Sequence, residues 1–161
     1  MQIIELDLHP VAVPRAYATQ IAQEGGGARQ QVEKSQFLFV EATTDSGLTG
    51  WGEISDVPVS ESPDIDTLKE QLSRLLIGRD PFDLQQLHAD LRDAFPFSAE
   101  LEFPRLVSAG ADMLCYDLQA QAAGVPVFKL LGGSHRRHVH VSWVAFIRDD
   151  LDLLREEIRE K

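Results

Sequence analysis

The chain has 161 residues, 43% hydrophobic and 25% charged, and its 26 acidic side chains outweigh 15 basic ones for a formal net charge of -11. That composition is globular, not disordered or fibrous, and the excess of carboxylates argues against nucleic acid or an anionic membrane as a partner. The single cysteine, Cys115, excludes an internal disulfide framework and fits a reducing compartment.

The chain opens Met1-Gln2-Ile3-Ile4-Glu5-Leu6-Asp7, with acidic residues ahead of any long apolar run, so no secretion signal is expected. No stretch approaches the ~20 apolar residues of a membrane span, and a cytoplasmic protein is the expectation. Residues 3 to 13 alternate, with Ile4, Leu6 and Leu8 on one side and Ile3, Glu5, Asp7 and His9 on the other, the period of a half-buried strand. Pro10 interrupts it and marks an edge or a bulge. Residues 14 to 33 lack periodicity and contain Gly25-Gly26-Gly27, which predicts a mobile loop. A second strand is expected over about Gln36 to Thr43, rich in Phe37, Phe39, Val40 and Thr43. Asp45-Ser46-Gly47 reads as a turn, and a third strand follows near Leu48 to Ile54. Three short strands in succession predict an antiparallel meander.

The pattern then changes to helical spacing. Ser62-Pro63 is a start signal, with Ser62 as N-cap and Pro63 at the first helical position. Ile65, Leu68, Leu72, Leu75 and Leu76 make one stripe, closed by Gly78. Asp80-Pro81 repeats the signal ahead of Leu84, Leu87, Leu91 and Phe95. A third helix is predicted from about Pro104 to Ala123, ended by Gly124 and Pro126. It is apolar on more than one face: Val107, Gly110, Ala111, Leu114 and Leu118 on one, Ala109, Met113 and Ala120 on another. Such a helix is sandwiched between layers, and leaves an aggregation-prone surface if one layer is missing.

After Gly132-Gly133 a basic link, Ser134 to Arg137, leads to an expected strand over 138 to 147 and a helix from Asp149 to Lys161 with Leu151, Leu154 and Ile158 on one side. This strand-helix unit has no sheet of its own to join and reads as the first βα unit of something larger. The last helix reaches Lys161 without a capping glycine, so the chain is expected to be cut within an element.

Two motifs carry a resemblance. The first is Gly47-Leu48-Thr49-Gly50-Trp51-Gly52-Glu53, after a strand ending Thr43-Thr44-Asp45. The second is Ala109-Gly110-Ala111-Asp112-Met113-Leu114-Cys115-Tyr116-Asp117-Leu118, followed by Gly124-Val125-Pro126-Val127 and Leu130-Leu131-Gly132-Gly133. In order and separation they resemble the mandelate racemase/muconate lactonizing branch of the enolase superfamily. Independently of any name, the glycines around Trp51 permit close backbone approach, and the small residues 109 to 111 permit close helix packing.

The resemblance implies an α+β fold: a capping domain over residues 1 to 133, built as a three-stranded antiparallel meander and a helical bundle, then the first strand and helix of a (β/α) barrel over 134 to 161. It implies a parent enzyme, isomerase or lyase, that removes the α-proton of a small carboxylate substrate through an enediolate held by Mg²⁺. The base and metal ligands of the family lie on later barrel strands, so no catalytic and no metal residue is carried onto this chain. The missing barrel is the implied partner, and a homo-oligomer is implied at full length. Two cap loops help to set specificity in the family. By position they are about Ala16 to Gly27 and Ile54 to Ser60, with Tyr17, Ile21, Ser55 and Asp56 as candidate substrate-facing residues. A stand-alone binding or assembly module and the relic of a truncated gene are the competing readings.

Other conspicuous residues have plainer readings. His135, His138 and His140 decorate a linker and strand without carboxylate or cysteine at ligand spacing. The Gly25 to Gly27 run lacks a phosphate-loop pattern and reads as a hinge. Asp112, Asp117 and Glu53 read as structural carboxylates, Cys115 as a core residue, and Trp51 and Trp143 as packing residues.

Overall fold

The computed structural model describes residues 1–21, 30–55, 64–97, 102–142 and 150–160. Three strands come first, β1 (Ile3–Ile21), β2 (Gln30–Thr44) and β3 (Thr49–Ser55). Among the described residues five helices follow: α1 (Ile65–Leu76), α2 (Leu84–Ala94), α3 (Phe103–Ala123), α4 (Val127–Leu130) and α5 (Leu151–Glu160). The sheet order is β1-β2-β3, the expected meander, and β2 pairs antiparallel with β3 from Phe37 opposite Ser55 to Thr43 opposite Thr49. Two compact units form, one of Met1–Val11 with Gln36–Ser134 and one of Ala12–Ser35 with His135–Lys161.

In the first unit, the turn between β2 and β3 is built on Thr44. Its amide donates to the Leu48 carbonyl (2.9 Å), while its buried hydroxyl accepts from the Leu48 amide (3.1 Å). Asp45 accepts from the Gln2 amide at 2.9 Å and so ties the start of β1 to this turn. The inner sheet face, with Leu38, Val40, Ala42 and Ile54, meets Leu68, Leu72 and Leu76 of α1, Leu87 and Leu91 of α2, and Val107, Ala111, Leu114 and Leu118 of α3 in one core. Burying these side chains is the main force holding sheet and helices together. α3 ends at Gly124, whose left-handed φ of 64° lets the Val125 amide reach back to the Ala120 carbonyl (3.0 Å).

Several elements depart from the sequence pattern, each for a local reason. Ile3 is fully buried and Ile4 is 58% exposed, the reverse of the expected facing. The Ile3 amide donates to the Arg79 carbonyl (3.0 Å), and the Gly78 amide donates to the Ile3 carbonyl (2.8 Å). This pairing with the α1–α2 turn rolls Ile3 inward, and the expected inward side resumes at Leu6 and Leu8. Residues 14–21 and 30–33 are strand rather than loop. Their side chains are mostly exposed where described, so backbone pairing holds them and leaves no alternating pattern to read. The glycine run at 25–27 lies outside the described residues.

α1 is capped by Asp64, whose carboxylate accepts from the Thr67 amide at 3.3 Å; Ser62 and Pro63 lie outside the described residues. α2 begins after Asp83, not at Asp80. Asp80 instead closes a turn, accepting from the Phe82 amide on its carboxylate (3.1 Å) and from the Asp83 amide on its carbonyl (2.9 Å). On α3 the second apolar face is only partly covered: Ala120 is buried, Ala109 is exposed and Met113 is 44% exposed.

In the second unit, Arg15 Nε donates to Ser35 Oγ across β1 and β2 at 3.0 Å. Residues 138–142 are not strand, and Val139 and Val141 are exposed. A strand needs a neighbour for its backbone groups, and none pairs with them among the described residues. Residues 143–147 lie outside those described. α5 forms as expected, with the Asp150 carboxylate accepting from the Asp152 and Leu153 amides (2.9 and 3.3 Å). Of its predicted apolar side, Leu151 and Ile158 are exposed and Leu154 is half-buried.

Candidate functional site

β3 is the spine of the candidate site. Gly50, Gly52 and Ile54 are buried against α3, so the period of two turns Trp51, Glu53 and Ser55 to the outer face of the sheet. Trp51 sits directly opposite Glu41, and the Glu41 carboxylate meets His9 Nε2 at 2.7 Å. The His9 and Trp51 rings lie 5.5 Å apart, tilted by 39°. At the end of β3, Ser55 Oγ donates to the Glu53 carboxylate. This row sets two carboxylates, each held by a neighbouring side chain, beside an aromatic surface, with Trp51 46% exposed.

α3 fixes the backbone of that strand. The Asp117 carboxylate accepts from the Trp51 amide at 2.9 Å, and Gln121 Nε2 donates to the Thr49 carbonyl (2.8 Å) and to Asp117 (3.0 Å). Among the described residues β3 is an edge strand, so these side chains satisfy backbone groups that no further strand there takes up. Asp117 is therefore structural, as its sequence context suggests. Asp112 is likewise engaged, with His88 Nε2 at 2.7 Å. Cys115 is fully buried, and burial, with Asp112 nearby, pushes its thiol up to about 12.

Of the candidate substrate-facing residues, only the surroundings of Ser55 are described. Tyr17 and Ile21 are in β1 with their side chains outside the described residues, and Asp56 lies outside them altogether. The His9–Glu41–Trp51 row was not singled out from the sequence as a cluster. Alternation alone puts His9 on a face, but only the strand register brings Glu41 and Trp51 to it. Trp51 is thus less a core packing residue than a member of this exposed row. His135, His138 and His140 are exposed, and among the described residues no three His, Cys, Asp or Glu side chains are placed to hold a metal ion. The described residues therefore do not fit a Mg²⁺ site. No helix among them is long and apolar enough to cross a membrane.

Residues 9–132 match the N-terminal domain of mandelate racemase/muconate lactonizing enzyme. The chain belongs to this family. It is 35% identical over 114 residues to the D-galactonate dehydratase of Ralstonia pickettii (strain 12J), a match covering 68% of this chain and 28% of that protein. The enzyme of the same name from Verminephrobacter eiseniae (strain EF01-2) is 32% identical over 128 residues, 76% of this chain and 32% of the relative. The chain thus spans about a third or less of the length of these curated relatives. Among solved structures, the dipeptide epimerase of Enterococcus faecalis V583, complexed with Mg and the dipeptide L-Leu-L-Tyr, superposes with a TM-score of 0.62 at 25% identity, covering 83% of this chain and 35% of that one. The N-succinyl Arg/Lys racemase of Bacillus cereus ATCC 14579 superposes over 99% of this chain and 41% of its own with a TM-score of 0.80; at 22% identity it speaks for the fold alone. The chain is therefore an enolase-superfamily N-terminal domain, and its α+β meander and helices are the fold of that domain.

Proposed function

We propose that this chain is the specificity-setting cap, residues 1 to 133, and the first βα unit, residues 134 to 161, of an enzyme that abstracts the α-proton of a sugar acid and eliminates water. The observation that carries the reading is the 35% identity over 114 residues to a D-galactonate dehydratase. A racemase, epimerase or cycloisomerase would use the same first step, so the reaction class rests on that identity. In this reading a Mg²⁺ ion would supply charge stabilisation at the substrate carboxylate, and the groups holding it would lie outside the described residues. On the same reading the cap contributes binding and closure, with Tyr17, Ile21, Ser55 and Asp56 as its substrate-facing residues; the pinning of β3, the strand that ends in Ser55, by Asp117 and Gln121 supports it. The proposed setting is the cytoplasm, where the lone, buried Cys115 needs no disulfide partner. The working form is a homo-oligomer.

The test uses the protein that carries this domain together with its barrel, in D₂O with Mg²⁺ and a panel of aldonic acids including D-galactonate. Proton NMR follows the C2 hydrogen and the 3-deoxy-2-keto product. Water loss from one member supports the dehydratase reading. Exchange at C2 without water loss moves the protein to the racemases and epimerases. Neither change with any member overturns the proposal.

A further inference from the structure

Away from the β3 row, α2 and α3 border an open cavity of about 290 Å³ lined by His88, Leu91, Arg92, Phe97, Ser108, Ala109 and Asp112. His88 and Arg92 are one helical turn apart on α2, and Ser108 and Asp112 are one turn apart on α3, so each helix presents one pair to the other. The His88–Asp112 contact of 2.7 Å closes one end. Since His88 meets Asp112 and the helices follow one another in a hairpin, Arg92 falls toward Ser108 at the other end. Leu91 is buried beneath, while Phe97 is 50% exposed at the lip.

The charges are not equivalent. Asp112 is committed to His88. Arg92 forms no ion pair and no hydrogen bond among the described residues, in a protein whose net charge is -11. Ser108 spends its hydroxyl proton on the Pro104 carbonyl (3.0 Å) and keeps its oxygen as an acceptor only. The cavity therefore combines an uncommitted guanidinium, a hydrocarbon floor and an aromatic edge. Its volume lies at the lower end of the ~300–1,000 Å³ typical of small-ligand sites.

We propose that the α2–α3 cavity binds a small organic acid with a compact hydrocarbon body, its carboxylate on Arg92 and its body against Leu91, Phe97 and Ala109. A guanidinium takes a carboxylate through two parallel N–H donors, which sets the ligand's orientation at the lip. The His88–Asp112 pair stands at the other end, its charges already matched to each other. This site is separate from the substrate site proposed above and does not depend on that assignment.

The probe is benzoate, with benzamide as its uncharged counterpart of nearly equal shape, titrated into the protein by isothermal calorimetry and ligand-observed NMR. Benzoate is expected to bind saturably at millimolar concentration, and benzamide more weakly by about tenfold or more, since the charge-assisted contacts are the stronger ones. Arg92→Met should reduce benzoate to the level of benzamide, and Ala109→Phe should block both by filling the floor. Both positions are exposed, so thermal melting should be unchanged and loss of binding would not be loss of fold. Absence of saturable benzoate binding, or binding that survives Arg92→Met and Ala109→Phe, overturns the proposal.

Discussion

Gly52 and Gly110 approach so closely that a Cβ added to Gly52 would stand 2.0 Å from the Gly110 carbonyl oxygen. A Cβ added to Gly110 meets Ile54 Cγ1 at 2.7 Å and the Glu53 carbonyl oxygen at 3.2 Å. The two positions thus offer different relief. At Gly52 the obstacle is helix backbone, which cannot move without shifting α3. At Gly110 the nearest obstacle is a side-chain atom, Cγ1 of the buried Ile54, which can shift by less than a flexible chain end but by more than helix backbone. Gly52→Ala should cost about 3 kcal/mol or more, and Gly110→Ala about 1–2 kcal/mol, by overpacking. Urea unfolding of the two variants checks the order; equal losses would mean that α3 and β3 separate more easily than their contact suggests.

Asp117 holds the Trp51 amide, and Gln121 holds both Asp117 and the Thr49 carbonyl. Asp117→Ala leaves that amide without its partner and should cost about 1–2 kcal/mol. Asp117→Asn keeps an acceptor oxygen and should cost less. Hydrogen exchange at the Trp51 amide gives the direct readout: it should accelerate in Asp117→Ala and stay slow in Asp117→Asn.

How much of this was legible in the sequence depends on where side chains meet a core. The meander and the main helices were readable because Leu38, Val40 and Ala42, or Leu68, Leu72 and Leu76, carry the period of their element. The outer length of β1 was not, because its exposed side chains leave alternation without a purpose. The starts of α1 and α2 fall at Asp64 and Asp83 rather than at Ser62 and Asp80; Asp64 caps its helix through its carboxylate, whereas Asp83 makes no side-chain cap bond, so its side chain gave no signal of that start. Ser55 was named from the family's loop positions, and the structure places it at the end of β3. The His9–Glu41–Trp51 row was not named, because it joins three strands and depends on their register.

Ser55 contributes its hydroxyl proton to Glu53 at the end of β3. If this end faces the substrate as proposed, Ser55→Ala should raise KM about threefold to tenfold, the worth of one neutral hydrogen bond, with kcat nearly unchanged. An unaltered KM in a variant of normal melting temperature removes Ser55 from the specificity set.

Asp7 and Lys69 form an ion pair at 2.5 Å. The hydrogen bond from Lys69, then its charge, holds the Asp7 carboxyl below its ordinary value, and the same bond raises Lys69. Asp90 is lowered too, by hydrogen bonds from Gln86 and Arg79. A lowered carboxyl favours the folded state above its unfolded pKa, and that contribution is lost as pH falls through the folded value. The raised Lys69 contributes below its unfolded pKa and loses it in strong alkali. Stability should therefore fall on acidification below the ordinary carboxylate range, and Asp7→Asn should flatten that fall. Both partners are solvent-accessible, so the effect is small and should shrink further in ~1 M salt, where the screening length drops to about 3 Å. Urea midpoints from pH 6 down to pH 2 with and without salt provide the check; a wild-type-like slope in Asp7→Asn would remove the pair from the account.

Cys115 lies fully buried on α3 with its thiol pushed up to about 12. The reactive species is the thiolate, so at neutral pH about one thiol in 10⁵ is ionised by the definition of that pKa, and none of it is accessible. Burial is the main cause, and Asp112 adds to it by disfavouring a second negative charge nearby. Native protein should therefore resist a disulfide reagent for as long as the core stays closed, then react with one equivalent on unfolding. The rate of labelling in the native state becomes a measure of how often α3 opens, and it should rise in Gly52→Ala in step with the lost stability if opening of the α3–β3 contact exposes the thiol. Rapid labelling of the wild type at pH 7 would place Cys115 outside the core, and labelling that does not respond to Gly52→Ala would uncouple the thiol from that contact.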